Sequence, residues 1–268
     1  MAKPLVTDEL WAVIEPELPP EPAKPKGGRP RVPDRAVLTG ILFVLKTGIQ
    51  WADLPPEMGC GCGMTCWRRL RDWDAAGVWT RVHLLLLEHL PCAQRINWAR
   101  VAVDSTSIPA PAGGPATGPN PTDRGKTGTK QHVAVDAQGI PLAVDLTAAH
   151  RPEGQQLLEL IDALPHVAGR RGRPRHRPDK VHADKAYDAR ANRTGLRARG
   201  IIPRIARRGI ESRERLGRWR WVVERTISWL HRMRRLRIRY ERRDDIHQAF
   251  LTLGALMITW NFAQSGFC

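Results

Sequence analysis

Val101-Ala102-Val103-Asp104-Ser105 is a short apolar run that ends on a carboxylate and a hydroxyl. A valine-rich run of this length reads as a strand. An Asp inside such a strand is costly to bury unless it is paired or bound to a metal. The arrangement returns at Val181-His182-Ala183-Asp184-Lys185. Working outward from these two runs, strands are predicted over residues 99–105, 132–136, 142–147, 180–184 and 201–205. Helices are predicted over 155–164, 188–199, 218–236 and 246–262. Three successive strands followed by alternating helices and strands imply an α/β fold, a mixed sheet with helices on both faces. Residues 109–129 are dense in Gly and Pro and separate the first two strands. They are read as a mobile loop without regular structure.

The chain upstream has a different texture. Residues 15–33 (EPELPPEPAKPKGGRPRVP) read as an extended arm. Asp34 is predicted to cap a helix over 35–47, where Val37, Leu38, Ile41, Leu42 and Leu45 share a face, and Gly48 ends it. Thr65 is predicted to cap a second helix carrying Trp67, Leu70 and Trp73, with Arg68 and Arg69 on other faces. A third helix follows Gly77 over 78–90. Residues 1–95 are therefore expected to form a small, mainly helical DNA-binding domain, and residues 96–268 a second, α/β domain. Trp67, Trp73 and Trp79 are read as core, with base stacking as the rival reading. Cys60, Cys62 and Cys66 lack the second pair that a structural zinc site usually shows, and are read as small packing residues.

The 268 residues carry 43 Lys and Arg against 27 Asp and Glu, a net charge of +16. Residues 166–246 hold 26 of those bases and only 9 acids, so one third of the chain carries the whole excess. A GC-rich genome would explain the preference for Arg over Lys, but not the clustering. Arg grips phosphate with a planar fork, and the charge points to nucleic acid before membrane. No apolar run approaches the roughly 18–20 residues of a spanning helix. The first residues lack the apolar stretch of a secretory signal, and five cysteines make no disulfide framework. A cytoplasmic protein with double-stranded DNA as its partner is expected.

The third carboxylate of interest is Glu224. Val223, Ile227 and Leu230 form the buried stripe of its helix, and Glu224 begins the adjoining polar stripe. Such a helix lays Glu224 over the sheet edge that carries Asp104 and Asp184. Three carboxylates of this kind suit two divalent ions, Mg²⁺ or Mn²⁺, which activate an attacking hydroxyl and stabilise the departing oxygen at phosphorus. Asp136, in Val-Asp-Ala-Gln-Gly, reads instead as a hairpin turn, and Asp145 as a structural strand end. Arg225 and Arg232 share a helix face and are candidate phosphate contacts. Arg171-Gly172-Arg173-Pro174-Arg175 has the form of a minor-groove hook, with a solvated basic loop as the plain alternative. Arg29 and Arg31 form a weaker version of it, and Arg68 and Arg69 are further DNA candidates.

The chain resembles the DDE transposases of bacterial insertion sequences, specifically the insertion-sequence-five group. The likeness rests on GRPRVPDRAVLTGILFVLKTGIQWADLP, GMTCWRRLRDWDAAGVW, AVDSTSI, GPNPTDRGKTGTKQHVAVDAQGIPL, GRPRHRPDKVHADKAYD and RWVVERTISWLHRMRRLRIRYERR. It implies a ribonuclease-H-like catalytic fold with Asp104, Asp184 and Glu224 as catalytic and metal-binding residues. Their spacings of 80 and 40 residues leave no room for a large insertion domain. Arg220 and His231 fall at the family's basic positions around the glutamate, while Gly217 stands where a tyrosine is common. Lys126 and Lys130 complete the candidate DNA contacts. The implied activity is metal-dependent cleavage at inverted-repeat ends, then attack of the 3′-hydroxyl on target DNA, by a homo-oligomer. A nuclease without strand transfer, and a copy that binds DNA without cutting it, are the alternatives.

Overall fold

The structure is a computed structural model that describes residues 4–21, 27, 30–89, 96–168, 174–207 and 213–264, with backbone alone for 89 and 213–218. Its first part is helical: α1 Asp8–Ile14, α2 Asp34–Thr47, α3 Gly63–Ala75 and α4 Val78–His89. The Thr7 side chain caps α1 by accepting from the Leu10 amide at 3.3 Å. The sequence reading missed this helix, which is only seven residues long.

Two expected caps do not form. Helix α2 begins at Asp34 itself, and the Asp34 carboxylate pairs with Arg31 and Arg69 instead of capping. Helix α3 begins two residues before Thr65, at Gly63, with Cys62 in the cap position and no side-chain cap. A Cβ on Gly63 would lie 1.8 Å from the Trp51 carbonyl oxygen. Gly48, at φ 75°, ends α2 in the left-handed conformation that glycine adopts without strain.

The second part is one sheet with β1 Val101–Pro109, β2 Gly118–Pro119, β3 Thr127–Val135, β4 Pro141–Ala148, β5 Lys180–Ala183 and β6 Ile202–Ile205. The strand order is β4-β3-β1-β5-β6, with the two-residue β2 also on β3. Strands β1, β3 and β4 are antiparallel, whereas β1, β5 and β6 are parallel. Helices α5 Leu157–Asp162, α6 Arg190–Ala198, α7 Arg213–Leu230 and α8 Asp244–Gln264 complete it. This is the ribonuclease-H-like mixed sheet flanked by helices, preceded by a helical region.

Several boundaries differ from the sequence reading. Strand β1 ends four residues later and β3 begins five residues earlier than expected, so both enter the Gly/Pro-rich segment. The remaining loop is compact rather than structureless, with Thr129 Oγ1 donating to Ala116 O at 2.7 Å and Asn120 N to Lys126 O at 2.8 Å. The helix expected to reach residue 236 ends at Leu230, followed by a 3-10 turn over Arg234–Leu236.

Strand alternation divides the core in two. Val101, Val103, Val181 and Ala183 face Leu157, Leu160 and Leu196 of α5 and α6. Ala102, Val133 and Val135 face Val222, Val223 and Leu230 of α7 and Phe250 of α8. The helical region joins that second cluster through Leu38, Ile41, Trp73 and Trp79. Helix α8 is buried along most of its length, because it touches β4 as well as α3 and α4. Trp73 and Trp79 are fully buried and meet edge to face at 5.7 Å, whereas Trp67 is half-buried.

Candidate functional site

Strand register sets Asp104 and Asp184 at the same height on neighbouring strands. Parallel β1 and β5 pair Val101 with Val181 and Ala102 with His182. That offset equals the sequence spacing of the two aspartates, so both stand three residues beyond a paired valine. Asp104 Oδ1 accepts from the Ser105 amide at 2.9 Å. Asp184 follows the end of β5 and caps the 3-10 turn over Lys185–Tyr187, its Oδ1 accepting from the Ala186 amide at 2.8 Å.

Helix α7 brings the third carboxylate. It lies over β1 and β3, anchored by Val222 and Val223 and by Thr226 Oγ1, which donates to Gly139 O at 2.7 Å. One turn before Glu224, Arg220 donates from Nη2 to Asp104 Oδ2 at 3.2 Å and to Glu224 Oε1 at 3.4 Å. Glu224 is exposed and Asp104 is nearly buried, with side-chain exposures of 57% and 15%. Burial pushes the Asp104 pKa up to about 6, aided by the Asp184 charge and opposed by Arg220 and the Ser105 N–H.

Asp104 and Glu224 share a cation, the Arg220 guanidinium, which lies between them. Three hard oxygen donors suit Mg²⁺ or Mn²⁺. Among the described residues, however, no three His, Cys, Asp or Glu side chains converge closely enough to hold an ion. Glu224 reaches Asp104 only through Arg220.

The neighbouring carboxylates have structural partners. Asp136 is fully buried and accepts from the amides of Asn97, Gln138 and Ile140, as a hairpin turn requires. Asp145 accepts from Gln156 Nε2 at 2.6 Å. Cys60 and Cys66 pack against Gly40, where a Cβ would lie 2.9 Å from both sulfurs.

The candidate DNA contacts have varied surroundings. Arg29, Arg171 and Arg173 lie outside the described residues. Arg31 and Arg69 share the Asp34 carboxylate. Arg68, Lys126 and Arg232 are exposed. Lys130 is buried, donating to Arg151 O at 2.9 Å beside Glu153 at 3.5 Å. Arg225 stands 4.5 Å from the ring centres of both Trp221 and Trp229. His231 turns inward to Gln131 Oε1 at 3.2 Å, and burial, with Arg237 beside it, lowers its pKa.

The sequence reading passed over a second group of cations, Arg100, Lys180, Arg204 and Arg207. The available signal was alternation: Lys180 and His182 are two apart on β5, and Arg204 is the register partner of His182 on β6. Burial, then the charges of Arg100, Arg204 and Lys180, push His182 down to about 4.

Comparison with known proteins identifies the family. Residues 99–260 match the family model of the transposase DDE domain, and residues 6–83 that of "Putative transposase of IS4/5 family". The chain is 56% identical over 149 residues to "Putative transposase for insertion sequence element IS402" of Burkholderia cepacia, covering 56% of this chain and 71% of that protein. It is 61% identical over 123 residues to "Insertion element IS402 uncharacterized 16.2 kDa protein" of the same organism, covering 45% and 84%. Among solved structures, a pre-cleavage Mos1 transpososome aligns over 91% of this chain and 82% of that one. Its TM-score of 0.27 and 16% identity fix no residue correspondence.

Proposed function

The chain belongs to the DDE transposase family of IS4/5 type, and from that premise we propose that it cuts DNA at the inverted-repeat ends of its insertion sequence and joins the 3′-hydroxyls to target DNA, with Asp104, Asp184 and Glu224 as catalytic residues. The observation that carries this reading is the equal register height of the two aspartates, with Arg220 linking one of them to Glu224.

Asp104 and Asp184 each spend one oxygen on a backbone amide, which fixes the planes of both carboxyl groups. Arg220 holds the charge of Asp104 and Glu224 until DNA and metal arrive, and then has a phosphate within reach of its fork. With Glu224 released from Arg220 and turned toward the two aspartates, the three carboxylates would hold two Mg²⁺ or Mn²⁺, which would supply an activated water or 3′-hydroxyl and stabilise the departing oxygen. The buried Val222 and Val223 under α7 keep the Glu224 backbone at a fixed height above the sheet.

In this reading residues 1–95 bind the inverted repeat and residues 96–268 do the chemistry. Two ends must be held together, so the protein acts as a homo-oligomer on DNA, in the bacterial cytoplasm at the nucleoid. No described helix is long and apolar enough to cross a membrane.

The test is a labelled inverted-repeat duplex incubated with a target plasmid and Mg²⁺, beside Asp104→Asn and Glu224→Gln. Joined product that disappears in both variants is the expected result. Cutting without joining would reduce the reading to a nuclease. Binding alone, equal in all three proteins, would overturn the catalytic assignment.

A further inference from the structure

A cavity of about 520 Å³ opens on the α7 face of the sheet, over β5 and β6. Register explains its lining. Val181, Ala183 and Ile205 turn to the α5 and α6 core, so Lys180, His182 and Arg204 turn the other way. Arg100, just before β1, and Arg207, just after β6, reach the same space, and Trp219, the first α7 residue with a described side chain, closes one side. The Arg100 guanidinium lies 4.4 Å from the Trp219 ring centre.

Among the described residues that line the cavity none is acidic. Arg193, at the rim, pairs with Asp188, and Arg220 with Asp104 and Glu224, but Arg100, Lys180, Arg204 and Arg207 have no ion pair among the described residues, unlike Arg175 with Asp179 and Arg199 with Asp162 nearby. Edge strands do carry charge to discourage pairing, which would account for Arg204 on β6. It does not account for cations converging from the segment before β1, from β5, from the end of β6 and from α7. Such a group repels itself and lowers stability, unless a polyanion is what it meets. Two further donors press the point: the buried Nε atoms of Arg100 and Arg220 have no acceptor among the described residues.

The cavity also adjoins the carboxylates. Arg220 lines it and at the same time contacts Asp104 and Glu224, and Ala183 lines it directly before Asp184. We infer that this cavity takes the sugar–phosphate backbone of the DNA strand as it leaves the catalytic carboxylates, its phosphates held by Lys180, Arg204 and Arg207. The inference rests on the proposed function for the identity of the polyanion, and on the unbalanced cations for the site.

The test uses the full chain, a labelled inverted-repeat duplex and a salt series. The variant is Lys180→Ala/Arg204→Ala/Arg207→Ala, three side chains with no ion pair among the described residues and therefore a small cost in folding. A charge-matched control is Arg177→Ala/Arg190→Ala/Arg242→Ala. Each phosphate contact contributes about 0.9 to the slope of log affinity against log salt. The cavity variant is expected to lose about 2 to 3 from that slope and at least roughly tenfold in affinity at 0.1 M salt, the control less than half as much. Ethylation of single DNA phosphates gives a readout by position. Two or three phosphates beside the cleaved bond are expected to block the wild type when ethylated, and to have no effect on the variant. Equal slopes for the two variants, or an unchanged ethylation pattern, overturn the inference. Inorganic phosphate that competes with DNA for the wild type at millimolar concentration would reduce the cavity to a site for single anions and overturn it as a strand path. If the wild type binds and cuts while the variant matches it, the inference fails and the transposase reading stands. If the wild type does not cut, yet the variant loses slope, the reading fails and the strand path stands.

Discussion

Arg235 and Arg204 are the same residue put to opposite uses. Arg235 has a side-chain exposure of 5% and is spent on protein. It pairs with Glu241 at 2.6 Å and donates from Nη1 to the carbonyls of Gly48 and Ile49 at 3.3 and 2.9 Å. It thereby ties the end of α7 to the C-terminus of α2 and the approach to α8. Arg204 is exposed on β6, two strands from the sheet centre, with no acidic partner among the described residues. The comparison teaches that the charge of the 166–246 segment is two populations. One builds the joint between the helical region and the sheet, and the other faces outward beside Asp104, Asp184 and Glu224, the carboxylates proposed as catalytic. Substitutions in each should fail in different assays.

The largest effect is expected at the boundary between the populations. Asp104 is nearly buried yet belongs with the outward chemistry. Asp104→Asn should abolish cutting and joining. Its melting temperature should stay within about 2 °C of the wild type, less than 1 kcal/mol for a chain of this size, because an amide is easier to bury than a carboxylate. A cleavage assay and a thermal melt on the same preparation check it. A fall of 10 °C would move Asp104 into the structural population.

Next comes the joint itself. Glu241 is buried, and although burial opposes its charge, His247 and Arg235 hold its pKa below the usual carboxylate range. Glu241→Gln leaves Arg235 charged and under-compensated, a loss of about 3–5 kcal/mol. Arg204→Ala should stay within about 0.5 kcal/mol. Urea denaturation of both variants measures the contrast, and equal midpoints would break the comparison.

The outward population was partly legible in the sequence and the joint was not. Strand identity, the aspartate pair and the α7 stripe all follow from local periodicity, which is why β1, β5 and α7 were found. Asp34 was misread as a cap because a capping Asp and an ion-pairing Asp look alike until Arg69 arrives from 35 residues away. His231 and Lys130 read as surface cations, since nothing local says that Gln131 and Glu153 wait beneath them. The β5–β6 cations required the parallel register, a long-range property. Helix α8 was found, but its contacts with both halves were not, because a helix apolar on most sides gives no single face to assign.

A smaller effect follows from the buried histidines of the joint. His83 Nε2 lies 3.1 Å from both Pro141 O and Thr259 Oγ1, between α4, β4 and α8. Burial lowers its pKa from 6.5 to about 4, against the pull of the Pro141 carbonyl. Between those values the unfolded chain binds the proton and the folded chain does not. Stability should therefore be full above pH 6.5 and fall as pH drops toward 4, by up to about 1.4 kcal/mol per pH unit for such a histidine. Urea midpoints from pH 7.5 to 4.5 check the slope, and His83→Gln should make it shallower. A slope unchanged by that substitution would remove His83 from the joint.

The smallest effect is the most discriminating, because Arg69 has a claim to both populations. It is an arginine on a helix read as DNA-binding, yet it shares Asp34 with Arg31 and its side chain is 11% exposed. Burial, then the neighbouring Arg31 charge, lowers its pKa to about 10. A guanidinium already engaged and crowded by a second one has little of its fork left for phosphate. Arg69→Ala should cost about 1 kcal/mol or less in stability, the range of a partly exposed pair. The salt slope of inverted-repeat binding should stay the same. Asp34→Asn should show the same small loss, since it releases both arginines at once. If Arg69→Ala instead lowers the salt slope by about 1, the residue contacts a phosphate, and the helical region has outward cations of its own.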